Sequence, residues 1–140
     1  MPAAQRRAAV SSYKEAGRPP APRATDARHI LVRQVMRHPV YTLPVSATVG
    51  EAYELMEIHS FDHVPLTEEE QLAGIVTRGD ITRLLVKGRP NWAATPLLQI
   101  MTRDVVAIAA ARTLHEAASL MIDTGHRALP VVQAPMRPVG

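Results

Sequence analysis

The feature that most restricts this chain is an internal repeat. Offset by 65 residues, positions 33 to 67 align without a gap on positions 98 to 132, and nine of them are identical. The identities are Gln34 with Gln99, Met36 with Met101, Val40 with Val105, Thr48 with Thr113, Glu51 with Glu116, Ala52 with Ala117, Leu55 with Leu120, Met56 with Met121, and Pro65 with Pro130. Such self-similarity marks one supersecondary unit written twice, and a unit of that kind buries its apolar face against its neighbour rather than alone. The fold is therefore expected to be two similar halves packed together.

Each copy carries the same local signals. An apolar-faced turn ends at Met36 or Met101 and leads into an extended run at residues 40–43 or 105–108. Thr48 with Glu51, and Thr113 with Glu116, have the T-x-x-E spacing in which each side chain satisfies the other residue's free backbone N–H. A helix start is predicted at both. Apolar residues then recur at helical spacing, Val49, Ala52, Tyr53 and Met56 in the first copy, Leu114, Ala117, Ala118, Met121 and Ile122 in the second. Gly125 is placed to cap the second helix. A strand follows at residues 64–67 or 129–132, and the proline in each predicts an edge position or a strand start. In the first copy Glu68, Glu69 and Glu70 form a charged turn into residues 72–76, which reads as a β-hairpin.

The end of that hairpin is the most informative stretch for chemistry. In Gly74-Ile75-Val76-Thr77-Arg78-Gly79-Asp80-Ile81 a β-branched run gives way to a hydroxyl, a glycine and a carboxylate, and Ile81, Leu84 and Leu85 continue at helical spacing. A helix N-terminus leaves N–H groups unpaired and carries partial positive charge, which suits a phosphate, while Asp80 is an acceptor for ribose hydroxyls. The competing reading is that Thr77 and Asp80 merely cap the helix. Allowing one inserted residue, Gly140 aligns with Gly74, so counterparts of residues 75–85 are absent. The second repeat is accordingly expected to lack its last strand and helix, or the sequence to be a fragment.

Composition excludes several function classes. There is no cysteine, hence no disulfide, thiolate metal site or thiol nucleophile, which suits a reducing, cytoplasmic setting. The longest apolar stretch, residues 105–111, is far short of the ~20 residues of a membrane span. Six histidines lack the spacing and carboxylate support of a metal site, so no metal is expected. No serine sits in a nucleophile-elbow context, and the chain is not expected to be an enzyme. Residues 1–28 carry six basic and two acidic side chains, whereas the other 112 residues carry ten and eleven. The high pI thus belongs to a Pro/Ala/Arg-rich tail expected to be disordered or loosely attached, and nucleic-acid binding by the body is not implied. A mitochondrial leader shares the Arg-rich, acid-poor start, but the proline cluster and the lack of an apolar face argue for a solvated tail.

The order strand, capped helix, strand, strand ending G-h-h-T-x-x-D, helix, written in tandem, resembles the CBS domain, named after cystathionine β-synthase. The resemblance covers residues 29 to 140 and rests on V-M-R-H-P-V at 35–40, T-V-G-E-A at 48–52, H-V-P-L at 63–66 and G-I-V-T-R-G-D-I at 74–81. It implies an α/β fold of tandem β-α-β-β-α repeats, at 29–90 and, with the linker, 91–140. It also implies a regulatory module whose clefts bind adenosine-containing ligands such as AMP, ATP or S-adenosylmethionine, with no cofactor required. Carried over to this sequence, Thr77 is expected at phosphate, Asp80 at ribose, and Val40, Thr42, His63, Val64 and Pro65 about the base. Ile75 belongs to the same strand as Thr77, and Arg78 is positioned to supplement the phosphate charge. One site at most is supported. A ligand-free dimerisation or interaction module of the same fold is the alternative. A homodimer is expected in either case, because Leu129, Val131 and Val132 would lack the neighbour that Ile75 and Val76 give their counterparts. The regulated partner protein is unknown.

Overall fold

The computed structural model describes residues 26–140, and the tail expectation for residues 1–25 lies outside them. Asp26–Arg28, counted with that tail, form a 3-10 turn. The repeat is realised as two three-stranded mixed sheets, β1-β2-β3 and β4-β5-β6. In the first, β1 (Leu43–Pro44) runs parallel to β2 (His63–Glu68), and β2 is antiparallel to β3 (Gln71–Thr77). In the second, β4 (Ile108–Ala109) is parallel to β5 (Val131–Gln133), which is antiparallel to β6 (Arg137–Pro138). The helices are α1 (Val32–Val35), α2 (Val49–His59), α3 (Arg78–Val86) and α4 (Leu114–Thr124). Among the described residues no helix is long and apolar enough to cross a membrane.

The helix starts follow from local chemistry. Thr48 Oγ1 accepts from the Glu51 amide at 3.3 Å while the Glu51 carboxylate accepts from the Thr48 amide at 2.8 Å. Thr77 and Asp80 do the same at 3.2 and 2.9 Å. The second copy departs from the expected reciprocity. Thr113 Oγ1 still accepts from the Glu116 amide at 3.1 Å, but the Glu116 carboxylate takes the Thr113 hydroxyl and the guanidinium of Arg112. α2 ends at Ser60 (φ 57°) and α4 at Gly125 (φ 76°), both left-handed. The β2–β3 hairpin closes through Glu69 and Glu70 with φ of 52° and 67°, the two-residue geometry whose twist matches the flanking strands.

Three expectations are corrected. The first strands are only two residues long, so Val40 and Thr42 lie in the approach to β1 rather than on it; the flanking Pro39 and Pro44 have no N–H for a longer ladder. Pro65 occupies a central strand instead of an edge. It is tolerated because Ile75, its partner across β3, exchanges both backbone hydrogen bonds with Thr102, and because β1 pairs only with Leu66 and Thr67. Thirdly, the second sheet does possess the start of its last strand. Val132 pairs with Pro138 and Gln133 with Arg137, the register that Thr67–Leu72 and Glu68–Gln71 show in the first copy, and the ladder continues through Val131 and Gly140. No counterpart of α3 follows within this sequence.

The two halves are locked by exchange of their leading segments. The Val32 amide donates to Arg112 O (2.7 Å), the Arg33 amide to Ala110 O (3.1 Å) and the Leu114 amide to Ile30 O (2.7 Å). Shifted by one repeat, Leu97 donates to Ala47 O (2.8 Å), Leu98 to Val45 O (3.2 Å) and Val49 to Thr95 O (2.8 Å). The side chains follow the backbone. Val32 and Met36 pack in the second core with Ile108, Ala110, Ala117 and Val131, whereas Leu97, Ile100 and Met101 pack in the first with Val49, Met56, Leu66 and Val76. Trp92 joins that first core edge-on to Tyr53. A Cβ on Gly74 would meet Met101 Sδ at 2.6 Å, and one on Gly140 would meet Met36 Sδ at 2.5 Å, the same contact seen from either half. The exchange and β6 together overturn the expectation that Val131 and Val132 lack a covering neighbour: Val131 packs with Val32 of the first repeat's leader, Val132 pairs with Pro138 of β6, and both are buried.

Candidate functional site

The exchange leaves a cleft of about 280 Å³ between the halves, close to the lower end of the ~300–1,000 Å³ usual for small-molecule sites. From the first repeat it is lined by Arg37, Pro39, Val40 and Tyr41 on the approach to β1, by Phe61, Asp62, His63 and Pro65 around β2, and by Ile75 on β3. From the second it receives Ala128, Leu129, Pro130 and Gly140. Ala128 to Pro130 are the repeat counterparts of His63 to Pro65, so the floor is formed by equivalent segments meeting across the interface.

Four of the expected site residues, Val40, His63, Pro65 and Ile75, therefore come together here. Others do not. Val64 points away from the cleft into the first core and is fully buried, as strand alternation between His63 and Pro65 requires. Thr42 is half-buried outside the lining. Thr77 is adjacent rather than lining: it pairs across the hairpin with His63, and the next amide, Arg78 N, donates to Asp62 O at 3.0 Å. Asp80 is occupied at both oxygens, Oδ2 by the Thr77 amide and Oδ1 by the Arg83 guanidinium, and its side chain is 9% exposed. A carboxylate has about four acceptor positions, so two remain.

Arg78 is the most committed side chain of the set. Its Nη1 donates to Glu57 Oε1 at 2.7 Å, Nε to Asp62 Oδ1 at 3.1 Å and Nη2 to Met56 O at 3.0 Å. The hydrogen bond to Glu57 raises the guanidinium above the ordinary arginine value, against a lowering by partial burial. Arg78 thereby ties the start of α3 to the end of α2.

Aromatic residues form the part of the site that the sequence reading missed. Tyr41 stacks on His59 with centroids 4.3 Å apart, and Phe61 lies 5.2 Å from His59 and 5.5 Å from Tyr41. Two members of this trio line the cleft. The signal was available: the chain has only five Phe, Tyr and Trp residues, and Tyr41 and Phe61 flank motifs already singled out. Their counterparts Val106 and His126 carry no such stack, so the two faces of the repeat are unequal. Among the described residues no three His, Asp or Glu side chains gather as metal ligands would.

Comparison with known proteins agrees with this geometry. The family model of the CBS domain matches residues 32–87 and again 98–140. A CBS domain-containing protein, YhcV of Bacillus subtilis (strain 168), is 31% identical over 102 residues, 72% of this chain and 71% of that protein. The homoserine O-acetyltransferase of Methanosarcina acetivorans is 33% identical over 113 residues, 80% of this chain. The chain spans only 20% of that enzyme's length. Among solved structures, the CBS domain pair of protein MJ0100 in complex with 5′-methylthioadenosine and S-adenosyl-L-methionine has a TM-score of 0.70 at 27% identity, covering 79% of this chain and 86% of that one. CBSX2 in complex with AMP has a TM-score of 0.68 at 25% identity, covering 79% and 87%.

Proposed function

Since this chain belongs to the CBS domain family, we propose that its inter-repeat cleft binds an adenosine-containing ligand and that the module regulates rather than catalyses. The observation that carries this reading is the shared lining. Pro65 and Ile75 of one half face Leu129, Pro130 and Gly140 of the other, so a ligand in the cleft contacts both halves at once. A ligand that binds one relative placement of the halves better than another shifts their population by that difference in affinity. The leading segments, each hydrogen-bonded into the opposite half, would carry such a shift toward a partner protein.

In this arrangement the base lies among Val40, Tyr41, Pro65 and Ile75, and the remaining acceptor capacity of Asp80 serves ribose hydroxyls. The apolar lining gives area and the few polar groups fix orientation, as small-molecule sites generally do. The two solved relatives bound to AMP, or to 5′-methylthioadenosine and S-adenosyl-L-methionine, support adenosine as the common element. Pairing of two chains through their helices completes the proposal, supported by Ile58, Val86 and Ile122, which are large, apolar and strongly exposed.

Titration calorimetry against AMP, ADP, ATP, S-adenosylmethionine, 5′-methylthioadenosine and NAD tests the reading. Saturable heat with an adenosine compound is expected. The absence of saturable heat with all of them would leave the fold as an interaction module without ligand.

A further inference from the structure

The Arg and Asp side chains lining the cleft are Arg37 and Asp62. They are not equivalent. Asp62 already accepts from Arg78 Nε at 3.1 Å. Arg37 is exposed and, among the described residues, has neither a side-chain hydrogen bond nor an ion pair. An unpaired guanidinium beside an apolar cleft offers a planar fork of donors, and that geometry matches phosphate two bonds at a time.

The cationic alternative nearby and two of the amides at the start of α3 are already engaged. All three nitrogens of the Arg78 guanidinium are bonded to Glu57, Asp62 and the Met56 carbonyl. At the start of α3 the Arg78 amide bonds Asp62 O and the Asp80 amide bonds Thr77 Oγ1. A phosphate would have to break these contacts to use the Arg78 guanidinium or the Arg78 and Asp80 amides, but none to reach Arg37.

We infer that the cleft selects a phosphate-bearing adenosine ligand, with Arg37 pairing its phosphate, over an uncharged nucleoside or a sulfonium. This rests on the adenosine reading above and narrows it to a ligand class. A phosphate monoester carries about −1.5 to −2 charges at neutral pH, whereas S-adenosylmethionine presents a positive sulfur that Arg37 would repel. The repeat adds a further asymmetry: the counterpart of Arg37 is Thr102, whose backbone is engaged with Ile75, so no second cation of this kind is supplied from the other half.

The test is calorimetry of the full chain with AMP, adenosine and S-adenosylmethionine, on the unsubstituted protein and on Arg37→Gln and Arg37→Lys. Arg37 is exposed, and thermal melts establish that the variants fold. The expected result is tighter binding of AMP than of adenosine, and a loss of about ten- to a hundredfold in AMP affinity with Arg37→Gln. Adenosine affinity should fall far less than AMP affinity, and Arg37→Lys should restore part of the AMP loss. Equal AMP affinity in both proteins, or an equal loss for AMP and adenosine, overturns the role of Arg37 while leaving the adenosine site standing. Binding of S-adenosylmethionine in preference to AMP overturns the ligand class. Failure of the unsubstituted protein to bind any of the three removes the adenosine reading itself, and this inference with it.

Discussion

Leu97→Ala is the substitution that most sharply probes how the two halves are joined. At the 65-residue offset Leu97 matches Val32 and immediately precedes the aligned second copy, yet its side chain is fully buried in the core of the first, with Met56, Leu66, Val76, Ile81 and Leu84. Truncating a fully buried leucine removes three methylene-sized groups and leaves a cavity whose walls belong to two strands and two helices. The expected cost is about 2–5 kcal/mol. For a chain of this size that lowers the melting temperature by on the order of 10 °C. The location of the damage matters more than its size. Native-state hydrogen exchange should show protection falling around α2, β2 and β3, although Leu97 lies some twenty residues beyond β3 in sequence. Protection lost only in β4 to β6, with the first sheet untouched, would refute the exchange of leading segments. So would a loss of stability well under 1 kcal/mol.

Three further outcomes follow from the same geometry. Glu70→Gly should stabilise the chain by about 1 kcal/mol in a denaturant titration, because φ of 67° is costly for an L-residue and natural for glycine. A destabilised variant would mean that Glu70 makes a compensating contact. Arg78→Met should cost on the order of 1 kcal/mol, a figure kept small because the side chain is 36% exposed, and part of that difference should vanish in high salt. The raised Arg78 pKa means that this stabilisation is fully present below the ordinary arginine range and lost only as pH rises through the folded value. Melts at acidic and at neutral pH should therefore show the same Arg78→Met difference wherever Glu57 and Asp62 remain ionised. Sedimentation at micromolar concentration should give a dimer or larger assembly that Ile122→Asp weakens; a stable monomer would remove the pairing through exposed helix faces.

The parts of this fold that were legible in the sequence are those set by neighbours in the chain. Thr48 with Glu51 and Thr77 with Asp80 satisfy each other over three residues, so spacing alone located two helix starts. The charged hairpin turn was readable for the same reason. What escaped was non-local. Nothing near Val32 or Leu97 says that each packs on the opposite half; only the three-dimensional pairing of Val32 with Arg112 and Leu97 with Ala47 reveals it. That exchange is also why Val131, expected to be uncovered, is buried, while Val132 is covered by its pairing with Pro138 of β6.

The lining of the cleft was legible in the sequence only in part. His63, Pro65, Ile75 and Val40 reach the cleft, but treating residues 63–65 as a block ignored the two-residue period that turns Val64 inward. Thr77 and Asp80 were recognised as polar groups at a helix start, and the structure shows them spending that polarity on each other. Tyr41 and Phe61 were passed over because they lie just outside the quoted motifs at 35–40 and 63–66, and their approach to His59 depends on the fold.

The central claim is that a ligand enters between the halves and touches both. Amide chemical-shift mapping during a titration with AMP tests it most directly. The prediction is a single saturable set of shifts that includes Tyr41, His63 and Ile75 of the first repeat together with Leu129 and Gly140 of the second. Shifts confined to one repeat, or lying at the helix surfaces around Ile58 and Ile122 with the cleft amides unmoved, would contradict it.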